Sequence, residues 1–349
     1  MKKILPLFLF WAVIIYTLTF LSSSPVFFDY SYQATSMIKE DLPSVRHLLN
    51  FDGGHYQNIS HFGYIMKFQT AFFPLYPSLI KLFAFLTNSH LISALLISLV
   101  STFFVVKLLP INIIFFPLSF FLLAGYTESL FLLLSLLSWH LFKQKKYLFS
   151  GVFGFFASLS RFYGILLFPS LLLEYFLKLP KNTRFKLGSY QPVIPLLLIP
   201  LGLVVYMIYL QYTYQDPFSF IHAQSLWNRG EIISPFRTVY RYIKILTTVS
   251  PTIIQYWVAL LELSSLALGV LATYVLYKQK QFSYSLYVFL GSIIPSFTGT
   301  LQSLPRFLLV LFPIYFIKLP TKFRPLLLTA SFILQLVLLT AFLTGRFIA

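Results

Sequence analysis

Long apolar runs separated by short polar segments extend along the whole chain. A hydrocarbon layer of about 30 Å is crossed by roughly 20 helical residues, and runs near that length recur. Their apolarity is continuous rather than alternating, which favours helices over the strands of a membrane barrel. The pattern predicts an all-α membrane protein with about eleven spans. The spans are expected near residues 4–21, 90–107, 110–124, 127–142, 147–160, 163–178, 190–210, 252–277, 282–299, 307–318 and 325–343.

Two long segments between spans are predicted to be loops, at residues 22–89 and 211–250. Within the first, the apolar stretch 72–86 resembles a span. Counting it as a full crossing would place the basic segment 143–146 on the opposite side from the other basic loops. We therefore expect a re-entrant or interfacial helix at 72–86. The whole chain, 1–349, is predicted to be one integral-membrane domain.

The first apolar run could also be read as a signal peptide. Lys2 and Lys3 precede it, and Leu21 and three serines resemble a small-residue end. Its apolar core is long for a signal sequence, however, and a retained helix fits the alternation of the remaining loops. We expect a retained first span.

Composition supports the membrane class and argues against a soluble protein that binds nucleic acid. Hydrophobic residues make up 58% of the chain, charged residues only 10%, and mean hydropathy is +0.80. The net charge of +17 would suggest nucleic acid in a soluble protein. Here the basic residues lie in short loops, as the positive-inside rule expects, so nucleic acid is excluded and these loops are predicted to be cytoplasmic. The basic positions are Lys2, Lys3, Lys107, 143–146, 178–186, 278–280 and 318–324.

The less common polar residues collect in the loops on the other, non-cytoplasmic side. An acid or arginine at membrane depth costs about 2.5–3.5 kcal/mol, so such residues usually face a cavity or each other. The sequence therefore predicts a polar cleft that opens to that side. Its candidate residues are Asp52 and His55; Tyr126 and Glu128; Arg161; Asp216, His222, Gln224, Trp227, Asn228 and Arg229; and Arg306.

Asp52 is the strongest candidate for chemistry, because acids are scarce and this one precedes two glycines in FDGGHYQNISHFGY. A carboxylate can act as a general base, a second carboxylate can orient it, and arginines bind phosphate in bidentate fashion. Sugar transfer from a lipid phosphate needs these groups: a base at the acceptor hydroxyl and positive charge at the departing phosphate.

Five motifs together resemble the GPI mannosyltransferase II family and its prokaryotic relatives. They are FDGGHYQNISHFGY with AFFPLYP, GYTESLF, SRFYGILL, AQSLWNR and LPRFLLVLFPIYF, between about residues 47 and 317. The resemblance implies a GT-C-type helix bundle that uses polyprenyl-phosphate sugars, with interfacial or re-entrant helices in a long first outer loop.

By the same resemblance, Asp52 would be the catalytic base of an inverting transfer from a β-linked polyprenyl- or dolichyl-phosphate mannose. Glu128 would position the acceptor or the base, and Arg161 and Arg306 would meet the donor phosphate. His55, Tyr126, Gln224 and Trp227 would line the substrate site. The expected partners are the lipid-phosphate donor, a lipid-linked or glycan acceptor and the bilayer, with an accessory subunit left open.

Two departures qualify the resemblance. Phe51 stands where the family commonly has tryptophan, and the cytoplasmic loop at 107–111 is short. The short loop is typical of a compact prokaryotic relative, which implies a multi-pass plasma-membrane protein whose site faces outside. GPI is therefore not the expected acceptor, and transfer of another sugar stays open.

Each candidate also has a structural interpretation. Asp52 could cap the helix that follows, and Glu128 could stabilise the first turn of its own helix through the helix dipole. Arg161 and Arg306 could extend to lipid headgroups. Asp52 and His55 could share a divalent ion, but two ligands are too few for a tight site, so no metal or other cofactor is expected. A flippase or transporter for polyprenyl-linked saccharides is the alternative function, although it should place polar groups on both sides of the membrane.

Overall fold

The computed structural model describes residues 4–22, 35–38, 42, 45–227, 229, 231–318 and 322–348, apart from the side chain of Trp227. Within these ranges every regular element is a helix, which confirms the all-α class. Among the positions singled out in the sequence, Lys2, Lys3 and Asn228 lie outside the described residues, as do residues 23–24 after the first apolar run and 319–321 of the basic segment 318–324. The α-helices are α1 Ile4–Ser22, α2 Asp52–Phe62, α3 Leu75–Thr87, α4 His90–Leu108, α5 Glu128–Lys143, α6 Tyr147–Ser160, α7 Leu167–Lys178, α8 Leu198–Tyr214, α9 Ser219–His222, α10 Pro235–Thr248, α11 Ile254–Lys278, α12 Phe282–Ile293, α13 Leu304–Leu309 and α14 Arg324–Leu343.

Five helices in the described part of the chain are long and apolar enough to cross a bilayer. Such helices identify a helical membrane protein. One candidate span, Leu187–Tyr214, consists of the 3₁₀ segment Leu187–Leu197 followed directly by α8. The five candidate spans are Ile4–Ser22, His90–Leu108, Leu187–Tyr214, Ile254–Lys278 and Arg324–Leu343.

The other predicted spans are shorter or interrupted. Residues 110–124 form two 3₁₀ turns, Ile111–Phe115 and Ser119–Leu122, rather than one helix. Residues 307–318 divide into the end of the six-residue α13 and the 3₁₀ turn Phe312–Phe316. Prolines at 110, 117 and 313 lie in these interruptions, where each removes a backbone donor and obstructs a continuous helix. The count of about eleven spans is therefore not confirmed.

The segment predicted to be re-entrant or interfacial contains α3, which has 13 residues. At 1.5 Å per residue such a helix measures about 20 Å, well short of a bilayer core. Residues 22–89 contain the helices α2 and α3, and the assignment of this stretch to an outer loop between two spans stays a prediction. Whether α3 enters the membrane stays a prediction.

The chain forms two compact units, of which unit 1 contains Met1–Leu133 and Lys318–Ile348. Its centre has a polar link at Gln335 of α14, whose side chain is fully buried. The Gln335 amide accepts from Trp11 Nε1 at 3.1 Å and donates to the carbonyl of Phe116 at 3.0 Å. This side chain therefore ties α1 and α14 to the segment of 3₁₀ turns, whose free backbone groups need such partners.

Unit 2 contains Leu134–Ile317. Its helices pack closely through small residues: Gly151 of α6 lies against the carbonyl of Pro195, and Gly202 of α8 lies against that of Phe155. A Cβ at either glycine would overlap those backbone atoms. Close approach through glycine is typical of helix packing in membranes, where hydrophobic burial contributes little between spans.

Candidate active site

Asp52 is the first residue of α2 and is half-buried. The residue before it, Phe51, has a φ of 57°, in the region that side chains other than glycine rarely adopt. Ring contacts hold Phe51 there, with Phe347 at 5.5 Å edge-on and Phe342 at 6.0 Å. A strained residue directly before a candidate base is a feature often found at functional sites.

The two glycines after Asp52 are explained by close packing. A Cβ at Gly54 would overlap Thr35 and the backbone nitrogen of Ser36, and one at Gly53 would lie 3.3 Å from the carbonyl oxygen of Gly125. The glycines therefore allow two other chain segments to approach the start of α2. One of those segments carries the second acid motif.

The next residues of the motif also hold chain segment 35–38 in place. Asn58 donates from Nδ2 to the Thr35 carbonyl at 2.6 Å and accepts from the Met37 N–H at 2.8 Å. Gln57 accepts from the Ser36 hydroxyl at 2.8 Å. Both side chains are almost fully buried. Sequence reasoning did not assign them a role; they fix α2, and with it Asp52, against the loop.

The GYTE turn packs against the Asp52 turn. The Gly125 N–H donates to the Leu48 carbonyl at 3.0 Å, and the Tyr126 hydroxyl donates to the Asn50 carbonyl at 2.5 Å. Glu128 begins α5 two residues later and is 1% exposed. Two acids thus lie at the starts of two helices whose preceding turns are bonded together.

Tyr126 serves this arrangement as a positioning residue. Its ring is 1% exposed, and it packs edge-on against Phe121 at 4.9 Å. Its hydroxyl donates its proton to the Asn50 carbonyl. We therefore assign Tyr126 to the support of the backbone, in place of the substrate-lining role expected from the sequence.

His55 lies one turn after Asp52 on α2, between Phe68 at 5.4 Å and Phe72 at 5.0 Å. Burial lowers the pKa of His55 below its usual 6.5, while the charge of Asp52 partly opposes that shift. Its buried Nδ1 has no hydrogen-bond partner among the described residues. No group of three metal-ligating side chains occurs in the described ranges, so Asp52 and His55 have no third ligand of this kind there.

Unit 2 brings two arginines to one phenylalanine ring, and a third arginine is the adjacent residue in the chain. The guanidinium of Arg161 lies 5.3 Å from the centre of the Phe307 ring, and that of Arg229 lies 5.9 Å from it. Arg306 is the neighbour of Phe307 in α13 and is 6% exposed, with Nη2 3.4 Å from the Ser303 hydroxyl. The motifs SRFYG, AQSLWNR and LPRFLL therefore converge within this unit. Two guanidinium groups at one ring, with a third arginine at the adjacent residue, form a site suited to a phosphate.

Arg229 is held by backbone atoms. Its Nη2 donates to the Gln302 carbonyl at 2.5 Å, and its own N–H donates to the Gln224 carbonyl at 3.1 Å. Gln224 thus contributes its main chain to the placement of Arg229. The backbone of Trp227 ends the 3₁₀ turn Ala223–Trp227, and its side chain lies outside the described part of the structure.

Glu262 is a buried acid that sequence reasoning missed. It lies inside α11, is 4% exposed, and accepts a hydrogen bond of 2.5 Å from the Tyr242 hydroxyl of α10. It also interacts electrostatically with Arg229. An acid within an apolar span is rare and costly, which is the signal that could have identified it.

Asp216 and His222 form a local structure instead of joining either group. His222 Nδ1 lies 2.9 Å from an Asp216 oxygen, and the other Asp216 oxygen accepts from the Phe218 N–H at 3.2 Å. This pair closes the turn that leads into α9. We assign it a structural role.

The candidate residues therefore form two groups, one in each unit. Asp52, His55, Tyr126 and Glu128 belong to unit 1, and Arg161, Arg306, Gln224 and the added Arg229 belong to unit 2. We call them the acid group and the arginine group. No family model, no curated protein and no solved structure matches the chain. The family resemblance of the motifs is therefore a proposal.

Proposed function

We propose that the protein is a membrane glycosyltransferase of the GT-C type. It moves a hexose, with mannose as the first choice, from a polyprenyl- or dolichyl-phosphate sugar to a lipid-linked or glycan acceptor. The reaction takes place on the non-cytoplasmic side, in a multi-pass protein of a prokaryotic plasma membrane. The observation that carries the proposal is the fixed pair of turns that holds Asp52 and Glu128 at two bonded helix starts.

In the proposed step, the Asp52 carboxylate removes the proton of the acceptor hydroxyl. The acceptor oxygen then forms a bond to the anomeric carbon while the bond from that carbon to the phosphate oxygen breaks. The phosphate leaves with the bonding electron pair as polyprenyl phosphate. A single displacement inverts the anomeric centre, so a β-linked donor yields an α-linked product.

Glu128 supports this step as a positioning residue. Because it is buried at a helix start whose turn is bonded to the Asp52 turn, its charge and hydrogen bonds can orient the base or the acceptor. A base held within about 0.5 Å of its productive position contributes far more than a mobile one. The backbone hydrogen bonds around Asp52 provide such placement.

The arginine group supplies the positive charge that the leaving phosphate needs. Guanidinium groups offer paired donors with the geometry of phosphate oxygens and stay charged at all relevant pH values. Arg161, Arg229 and Arg306 have this chemistry near Phe307. We propose that they bind the donor phosphate and stabilise its charge as the bond breaks.

A flippase or transporter for a polyprenyl-linked saccharide is the second candidate, and the arginine group favours it equally, since a lipid phosphate must be bound in both cases. The acid group distinguishes them. A transporter needs no base at a strained helix start, whereas a transferase does. Transport also leaves the sugar on its original carrier.

The test uses purified protein in detergent or vesicles with synthetic polyprenyl-phosphate mannose that carries a label. Transfer of the label to a lipid or glycan extract, with release of polyprenyl phosphate, supports the transferase. Translocation of intact donor without release supports the transporter. A parallel sample with EDTA tests the expectation that no metal is required, and a loss of transfer there would show that a divalent ion is needed. Failure of both activities with mannose and with other polyprenyl-phosphate sugars would overturn the proposal.

A further inference from the structure

Helix α10, Pro235–Thr248, divides its surface into three stripes, each repeating at helical spacing. Thr238 and Tyr242 form a buried stripe. The second stripe is apolar and exposed, and the third is cationic and exposed. The apolar stripe is Phe236, Tyr240 and Ile243; the cationic stripe is Arg237, Arg241 and Lys244.

The buried stripe attaches α10 to the rest of unit 2. The Thr238 hydroxyl donates to the Ser296 carbonyl at 2.7 Å. The Tyr242 hydroxyl donates to Glu262 at 2.5 Å and accepts from the Leu301 N–H at 2.8 Å. Because these bonds are buried, they hold the helix in one rotation. The other two stripes must then face outward.

The apolar stripe is exposed to an unusual degree. Phe236 is 86% exposed, Tyr240 is 67% exposed and Ile243 is 49% exposed. Apolar side chains in a row on one helix face usually mark contact with a membrane or another protein. The stripe therefore indicates an apolar surrounding that covers it.

The neighbouring span identifies that surrounding as the bilayer. Only the five residues 249–253 separate the end of α10 at Thr248 from the start of the candidate span α11 at Ile254. Five extended residues reach about 17 Å at most, so α10 must stay close to the membrane surface. Trp257 in the first turn of α11 is 55% exposed, as is common for tryptophan at the headgroup level.

The cationic stripe indicates the charge of the lipid. Arg237, Arg241 and Lys244 are all exposed, and the α10 sequence contains no acid. Arg241 donates to the Gly299 carbonyl at 3.3 Å, while the side chains of Arg237 and Lys244 make no hydrogen bond or ion pair with any described residue. Cations beside an apolar stripe are the arrangement by which interfacial helices bind anionic lipid.

We propose that α10 lies in the headgroup region of the bilayer and binds anionic phospholipid. Phe236, Tyr240 and Ile243 insert toward the acyl chains, and Arg237 and Lys244 contact lipid phosphates. Tyr242 connects this helix through Leu301 to the segment that precedes α13 and Arg306. This proposal does not depend on glycosyl transfer, since the lipid contact can be measured without any enzyme assay.

The experiment uses the full chain in nanodiscs. The chain has no cysteine, so Tyr240→Cys provides a single attachment point for an environment-sensitive fluorophore. Quenching is measured with nitroxide-labelled phosphatidylglycerol and, separately, with nitroxide-labelled phosphatidylcholine. The ratio of the two reports how strongly the helix prefers the anionic lipid. Gel filtration of each variant checks that the protein remains folded and monodisperse.

We expect the label to be in an apolar environment and to be quenched more by phosphatidylglycerol. Arg237→Gln with Lys244→Gln should reduce that preference by roughly fivefold for each cation removed. The matched control, Lys181→Gln with Lys186→Gln, removes the same charge from an exposed loop and should leave the ratio unchanged. A water-exposed label would overturn the proposal. Equal quenching by both lipids, or an unchanged ratio in the α10 variant, would also overturn it.

Discussion

In unit 1, Asp52 is placed by backbone contacts: glycines without room for a Cβ, a residue held at positive φ, and hydrogen bonds between two turns. In unit 2, Arg161 and Arg229 converge through their side chains on the Phe307 ring. A backbone-held carboxylate has little freedom, because its helix start cannot move without breaking packed contacts. The arginine tips are placed by contacts of the side chains themselves, such as the hydrogen bond from Arg229 Nη2 to the Gln302 carbonyl.

This difference matches the two tasks that we propose. A base must meet one proton in one direction, and small displacements cost large factors in rate. A phosphate presents several oxygens and accepts donors from many directions, so guanidinium groups on long side chains can meet it in more than one geometry. The acid group should therefore control turnover, and the arginine group should control donor binding.

The largest effect is expected for Asp52→Asn. Loss of the base should lower kcat by about 10²- to 10⁴-fold, because the acceptor proton then has no nearby carboxylate. The melting temperature should change little, since asparagine has the same shape. The matched control is Asp216→Asn, which changes an acid that closes a turn. Its kcat should equal that of the wild type. Equal kcat values for wild type and Asp52→Asn would remove Asp52 from the mechanism.

The next effect concerns Arg161→Gln. The loss of a charged donor at the phosphate should raise the donor KM by about 10-fold, the equivalent of roughly 1.5 kcal/mol. Turnover at saturating donor should fall much less. The control is Arg184→Gln, because the wild-type Arg184 side chain donates to the carbonyls of Leu177 and Leu179. A donor KM that stays constant in Arg161→Gln would show that this arginine only supports the fold.

Gly54→Ala should separate backbone placement from side-chain placement. The added Cβ would overlap Thr35 and Ser36, and overpacking of this kind costs about 1–3 kcal/mol. We expect a lower melting temperature together with reduced kcat, because the start of α2 must shift. Gly188→Ala is the control, since a Cβ there meets no described atom within 4 Å. An unchanged kcat in Gly54→Ala would show that Asp52 does not require this packing.

The smallest effect is a pH dependence from His55. Burial keeps its pKa below the usual 6.5, so the unfolded chain binds the proton more readily than the folded protein. This contribution to stability is complete above the unfolded pKa, and it is lost as pH falls through the lowered folded pKa. When the pH is lowered from about 7.5 to 5.5, the melting temperature of His55→Asn should therefore fall less than that of the wild type.

The control for this last experiment is His140→Asn, at an exposed histidine. It should keep the acid sensitivity of the wild type. If acidification lowers the melting temperatures of His55→Asn and of the wild type equally, the burial of His55 does not contribute to the pH dependence of stability.

The sequence predicted the helical membrane class and the candidate acids, but not the span count. Apolarity alone does not reveal where a helix ends, and prolines at 110, 117 and 313 interrupt runs that look continuous. Glu262 was detectable as an acid within an apolar run. Its bond to Tyr242 was not, because it depends on how α10 packs against α11.

The residues of the motifs also divided in an unexpected way. Gln57, Asn58 and Tyr126 belong to the motifs that carry the family resemblance, yet they hold the backbone around Asp52. Sequence spacing indicates that such residues lie near one another. It does not distinguish a side chain that meets a substrate from one that positions its neighbour.

The most direct test of this account is a comparison of kcat and donor KM for wild type, Asp52→Asn and Arg306→Gln in one labelled-mannose transfer assay. We predict that Asp52→Asn lowers kcat and leaves the donor KM near its wild-type value, whereas Arg306→Gln raises the donor KM and largely retains kcat. Full turnover by Asp52→Asn, or the same change in both parameters for the two variants, would contradict the proposed division between base and phosphate site.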